Sequence, residues 1–96
     1  DELVIINVTT LQGRDKDETC ALVPSDHEFI THPSCVNYFE ATVVSANDLQ
    51  GLISAGHLNP MNDASESLLA KILNGAASSN DLALGIRKIL RDQNLI

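Results

Sequence analysis

Residues 35–48 read CVNYFEATVVSAND, and a change of pattern inside this stretch decides the fold. Cys35–Val44 is rich in β-branched and aromatic residues, the composition of a strand. Strict alternation puts Val36, Tyr38, Glu40 and Thr42 on one face and Asn37, Phe39, Ala41 and Val43 on the other. At Ser45 the pattern turns helical: a serine followed three residues later by Asp48 is a helix start, and the helix over 46–55 is expected to stop at Gly56.

Working back towards the N-terminus, LVIINVTTL (3–11) is dense in β-branched residues and predicts a central strand. QGRDKDE (12–18) is a charged loop, and TCALVP (19–24) is a second strand expected to pair with the first as a long-looped hairpin. Pro24 ends that strand, Ser25-Asp26 starts a turn, and Phe29-Ile30-Thr31 is a short β segment closed by Pro33. Towards the C-terminus, HLNPMND (57–63) is a loop. Ser65 or Asp63 caps a helix to about Asn74, with Leu68, Leu69, Ile72 and Leu73 at helical spacing and Gly75 as its stop. A third helix, capped by Ser79 or Asn80 and running to about Gln93, carries Leu82, Ile86, Ile89 and Leu90 as its apolar stripe. Arg87, Lys88 and Arg91 lie near its C-terminal end, where cations complement the macrodipole.

Strands first and helices after predict an α+β fold: one domain over 1–96, with 1–44 mainly strands and 45–96 mainly helices. A small antiparallel barrel or curled sheet would protect its edges, with three helices on the open side. Aromatics make up 3% of the chain against 44% hydrophobic residues overall, so the core must be aliphatic and Tyr38, Phe29 and Phe39 are its only large rings.

Apolar runs of about five residues are too short for a membrane span, and no leader pattern opens the chain, so a soluble, cytoplasmic protein is expected. The net charge is −7, and residues 1–48 hold nine acids against Arg14 and Lys16. That half is a poor nonspecific nucleic-acid surface, because such binding needs cations that displace phosphate counterions. Cys20 and Cys35 lack the paired spacing of a zinc site and are expected to be buried free thiols, with a disulfide between them as the alternative if they sit on neighbouring strands.

The segment PSDHEFITHPSC (24–35) concentrates the reactive side chains. Asp26, His27, Glu28 and His32 do not converge as metal ligands on extended backbone, so no metal is expected. Gly13 stands alone, so no phosphate-cradling loop and no cofactor are expected either. His27 and His32 are acid–base candidates because imidazole titrates near neutrality. Metal-free phosphodiester cleavage needs a cation beside such a group, and Arg14 is the candidate.

Gly13-Arg14 in a loop after a strand, then CALVP (20–24), then a segment bearing Thr31 and Ser34, resembles the opening of the MazF/PemK/Kid-like toxin family over about residues 3–35. The resemblance implies an SH3-like barrel with appended helices, dimerisation, and metal-independent cleavage of single-stranded RNA unless an antitoxin is bound. It implies that Arg14 is the loop arginine and Thr31 or Ser34 the hydroxyl on the following sheet. Glu18-Thr19 stands where that family commonly has Arg-Pro. Two functional expectations follow. One is a small acidic protein-interaction domain of a phage, plasmid or toxin–antitoxin or defence system, with an antitoxin-like or basic protein partner, or a homodimer. The other is a PemK-like endoribonuclease, or an inactive relative, with Arg14, His27, His32 and Ser34 at its site and RNA as substrate.

Overall fold

A computed structural model describes residues 2–11 and 19–96. Their order is β1 (Glu2–Thr10), β2 (Ala21–Leu22), a 3-10 turn (Pro24–Asp26), β3 (Ser34–Ser45), α1 (Ala46–Ser54), α2 (Glu66–Ser78) and α3 (Leu84–Asp92). The strands form one antiparallel sheet in the order β1-β3-β2, followed by three helices, which is the expected α+β arrangement. The pairings join β1 to β3 and β2 to β3; none among the described residues closes the sheet into a barrel. No helix among them is long and apolar enough to cross a membrane.

The central strand is β3, not β1, and β2 pairs with β3 instead of forming a hairpin with β1. The strand Ser34–Ser45 is long enough to serve two neighbours, so Cys35 faces Thr9 on one side and Ala21 on the other. Pro24 limits β2 to two residues, and 27–33 is turn and loop with no β segment at Phe29–Thr31.

A register shift corrects the facing of β3. Between Ile5↔Thr42 and Asn7↔Asn37 the pairing advances two residues on β1 but five on β3, so β3 accommodates three additional residues. An odd insertion inverts alternation. Val36 is buried before the bulge, and within its unpaired stretch, 38–41, Tyr38 and Ala41 are both buried although three residues apart, whereas Phe39 is 77% exposed. Glu40, also in the bulge, accepts from Asn7 Nδ2 at 3.2 Å.

The core is Leu22, Ile30, Val36, Tyr38, Leu68, Ala76, Leu82 and Leu90 with Cys20 and Ala41, so α2 and α3 cover the inner face of the sheet. Ser45 caps α1 by accepting from the Asp48 N–H at 3.1 Å, and Gly56 follows with φ +81°, the left-handed conformation that stops a helix. Ser65 caps α2 in the same way, through Leu68 N–H at 3.1 Å.

Gly75 does not end α2; the helix continues to Ser78. The glycine is there because the helix passes directly over Tyr38, where an added Cβ would sit 3.1 Å from Tyr38 Cζ and 2.9 Å from Cys20 Cβ. One turn earlier the Tyr38 hydroxyl donates to the Ile72 carbonyl at 2.6 Å. Helix α3 starts at Leu84, later than expected, because the Ser79 hydroxyl accepts from Asp81 N–H in a turn instead of capping it. Arg87 does not serve the dipole of its own helix: it donates to the Ala77 carbonyl at 2.7 Å and to the Ser79 carbonyl, capping the end of α2.

Both cysteines are buried and unbridged. Cys20 is opposite Val36, whose N–H donates to its carbonyl, while Cys35 is one residue along on β3, so alternation sends the two side chains to opposite faces of the sheet.

Candidate functional site

The end of β1 and the loop into β3 form a cleft of about 300 Å³ lined by Val8, Thr9, Thr10, Phe29, Ile30, Thr31, His32 and Ser34. The ladder pairs Thr10 with Ser34, which brings His32 beside β1 although 22 residues separate it from Thr10. His32 Nε2 lies 2.7 Å from Thr10 Oγ1, and its Nδ1 lies 3.1 Å from Thr31 Oγ1. In a neutral ring one nitrogen donates to one hydroxyl while the other accepts from the second. A hydroxyl held against an imidazole can pass a proton, the elementary step of acid–base chemistry.

Ser34 is buried in the same cleft, but its hydroxyl donates to the His32 carbonyl at 2.8 Å, so it fixes the loop and does not address the ring. His27 lies in a neighbouring cleft of about 320 Å³; the two clefts share Val8, Phe29 and Ile30 as walls. The Phe29 N–H donates to His27 Nδ1 at 3.2 Å, so Nε2 carries the proton and donates to the Asn62 carbonyl at 2.7 Å. His27 therefore ties the 57–63 loop to the turn after β2, and its ring meets Phe29 edge-on at 5.0 Å. Arg14 lies outside the described residues. Among the described residues no group of three or more His, Cys, Asp or Glu side chains is placed to hold a metal.

Thr10 is the partner that sequence reading missed. Nothing local marks it; only the β1–β3 register sets it opposite Ser34.

Asp26 anchors the other end of the segment. Its carboxylate accepts from the Val23 N–H at 2.8 Å and from Lys71 Nζ at 3.1 Å, joining the turn after β2 to α2. The Val23 N–H and then the Lys71 ammonium hold the Asp26 carboxyl below its ordinary 3.8, against the opposing effect of burial. A lowered pKa means that this stability is present above the ordinary carboxylate range and is lost as pH falls through the folded-state value. Asp26→Asn is therefore expected to cost at most about 1 kcal/mol at neutral pH, the range of a solvent-screened pair. The gap to the wild type should close below about pH 4, as read from urea midpoints across pH. A gap that widens on acidification would contradict the assignment.

A second concavity has a different chemistry. Between the start of β1, α2 and α3 lies an apolar groove of about 340 Å³, reaching down to Tyr38, Ala76, Leu82 and Leu90 and rimmed by Leu3, Leu69 and Leu95. Gln93 on its wall donates to the Glu2 carbonyl at 2.8 Å, which ties α3 to the first residue of β1.

The charges around these features are unevenly committed. Of the described cations Lys71, Arg87, Lys88 and Arg91, Lys71 pairs with Asp26 and Lys88 with Asp92, each at 3.1 Å, while Arg87 caps α2. Glu28, Asp48, Asp63, Glu66 and Asp81 are exposed and have no ion-pair partner among the described residues.

No protein-family model, curated protein or solved structure matches the chain.

Proposed function

We propose that the protein is a small acidic interaction domain whose partner is a basic protein segment. The observation that carries this reading is the one-sided commitment of charge. Three of the four described cations are spent on contacts within the chain, whereas the exposed acids Glu28, Asp48, Asp63, Glu66 and Asp81 have no ion-pair partner among the described residues. With a net charge of −7, such a surface attracts lysines and arginines and repels phosphates. The same charge opposes self-association through an acidic face, which favours a basic partner over a homodimer.

A second reading, metal-independent endoribonuclease, is supported by one specific observation: the Thr10–His32 pair in an open cleft. Phosphodiester cleavage also needs a cation for the developing charge, and Arg14, the candidate, lies outside the described residues. The uncommitted acidic surface makes the interaction domain the stronger reading.

One preparation tests both. The purified protein is titrated with a fluorescently labelled amphipathic model helix of Leu and Lys, and with a counterpart in which Glu replaces Lys. In parallel it is incubated with single-stranded RNA in EDTA. The basic helix is expected to bind at least tenfold more tightly, the preference should shrink as salt rises, and the RNA should stay intact. Equal affinity for the two helices, together with RNA cleavage that disappears in His32→Ala, would replace the interaction reading with the nuclease.

A further inference from the structure

We infer that the apolar groove between β1, α2 and α3 is where this basic partner docks, as an amphipathic helix that inserts its apolar side chains while its lysines or arginines meet the acidic rim. The inference rests on the reading of the chain as an acidic interaction domain and gives that reading a place and a binding mode.

Three observations carry it. First, the groove is deep as well as apolar, because its floor includes the buried Tyr38, Ala76, Leu82 and Leu90. At about 340 Å³ it has room for one or two large aliphatic side chains. Second, its apolar character continues outside: Leu3, Leu69 and Leu95 on the rim are 38%, 48% and 44% exposed. A small apolar molecule confined to the groove would leave those leucines wet, whereas a helix laid along it covers floor and rim together. Third, the rim has the right charge. Glu66 lies three residues before Leu69, on the same face of α2. Glu66 is exposed without an ion-pair partner among the described residues, and the chain as a whole carries a net charge of −7. A second copy of this chain would bring like charges together at this rim, so the occupant is a basic partner.

The test uses the full chain and the labelled Leu/Lys helix. Leu69→Asp and Leu95→Asp replace exposed side chains, so both variants should keep the wild-type circular dichroism spectrum and melting temperature. Each is expected to weaken binding of the Leu/Lys helix at least tenfold. Glu66→Lys is expected to reduce the salt dependence, and Phe39→Asp, on the exposed bulge of β3, to leave affinity unchanged. Retained affinity in both leucine variants would overturn the groove while leaving the acidic-domain reading intact, because the helix would then bind elsewhere. No binding by the wild-type protein would overturn both. A dimer in sedimentation that Leu69→Asp dissociates would overturn the choice of occupant, since a second copy would fill the groove.

Discussion

Replacing Tyr38 by alanine is expected to leave the protein largely unfolded near physiological temperature. Tyr38 is 1% exposed at the middle of the central strand, the one large ring in the core, since Phe29 and Phe39 are both exposed. Truncating a buried aromatic costs about 3–5 kcal/mol through lost transfer energy and the cavity left behind. Domains of this size hold only about 5–15 kcal/mol in total. Two features push the expected cost to the upper part of that range. The ring supports α2 from below, so its loss removes packing from both layers at once. Its hydroxyl also donates to the Ile72 carbonyl, and that tie between sheet and helix goes with it. The melting temperature should fall by more than about 12 °C. Phe39→Ala is the control: it removes an aromatic ring from the adjacent position, but one that is 77% exposed, and should change stability by no more than about 0.5 kcal/mol. Equal effects of the two substitutions would mean that the Tyr38 ring does not point into the core.

That pair of neighbours also marks where sequence reading stops. Alternation along 35–44 correctly placed Val36 and Tyr38 together, and the serine caps at Ser45 and Ser65 and the glycine stop at Gly56 were legible because each acts within four residues of itself. The bulge was not legible, since the three additional residues on β3 exist only relative to β1. Strand order failed for the same reason. Sequence neighbours pair in most sheets, but β2 here finds the free side of β3 instead. In the candidate site, His27, His32 and Ser34 could be singled out by residue type, yet their roles depend on partners 22 and 35 residues away or on a backbone carbonyl. Thr10 had no local mark at all. The stripe of leucines on α2 was visible, but not that Leu68 would enter the core while Leu69 stayed on the rim of a groove.

Gly75 gives the second large effect, and it separates a local from a nonlocal reading of the same residue. If the glycine only ended α2 in the left-handed conformation, alanine there would cost about 1–2 kcal/mol through backbone strain alone. If it were merely a weak helix residue, alanine would stabilise by about 1 kcal/mol, because it is the better helix former. The observed packing sets a larger opposing cost. An added Cβ would lie 2.9 Å from Cys20 Cβ and 3.1 Å from Tyr38 Cζ, and closest of all to the Tyr38 hydroxyl. Cys20 is at the edge of β2, and the ring is held by the core, so relief requires α2 to lift from the sheet. Overpacking of this kind costs about 1–3 kcal/mol, and losing the hydrogen bond from the Tyr38 hydroxyl to the Ile72 carbonyl adds about 0.5–1.5 kcal/mol. After the helix-propensity gain is subtracted, Gly75→Ala is expected to destabilise by roughly 0.5–3.5 kcal/mol. The mechanism has its own signature in a double-mutant cycle. Tyr38→Phe removes the atom nearest the new methyl group at a cost of about 0.5–1.5 kcal/mol, since the Ile72 carbonyl keeps its helical partner. In that background Gly75→Ala should cost at least about 1 kcal/mol less than in the wild type, as measured by urea unfolding. Strict additivity would place the cost in Cys20 or in the helix itself. A stabilising Gly75→Ala would show that α2 does not rest on Tyr38 at all.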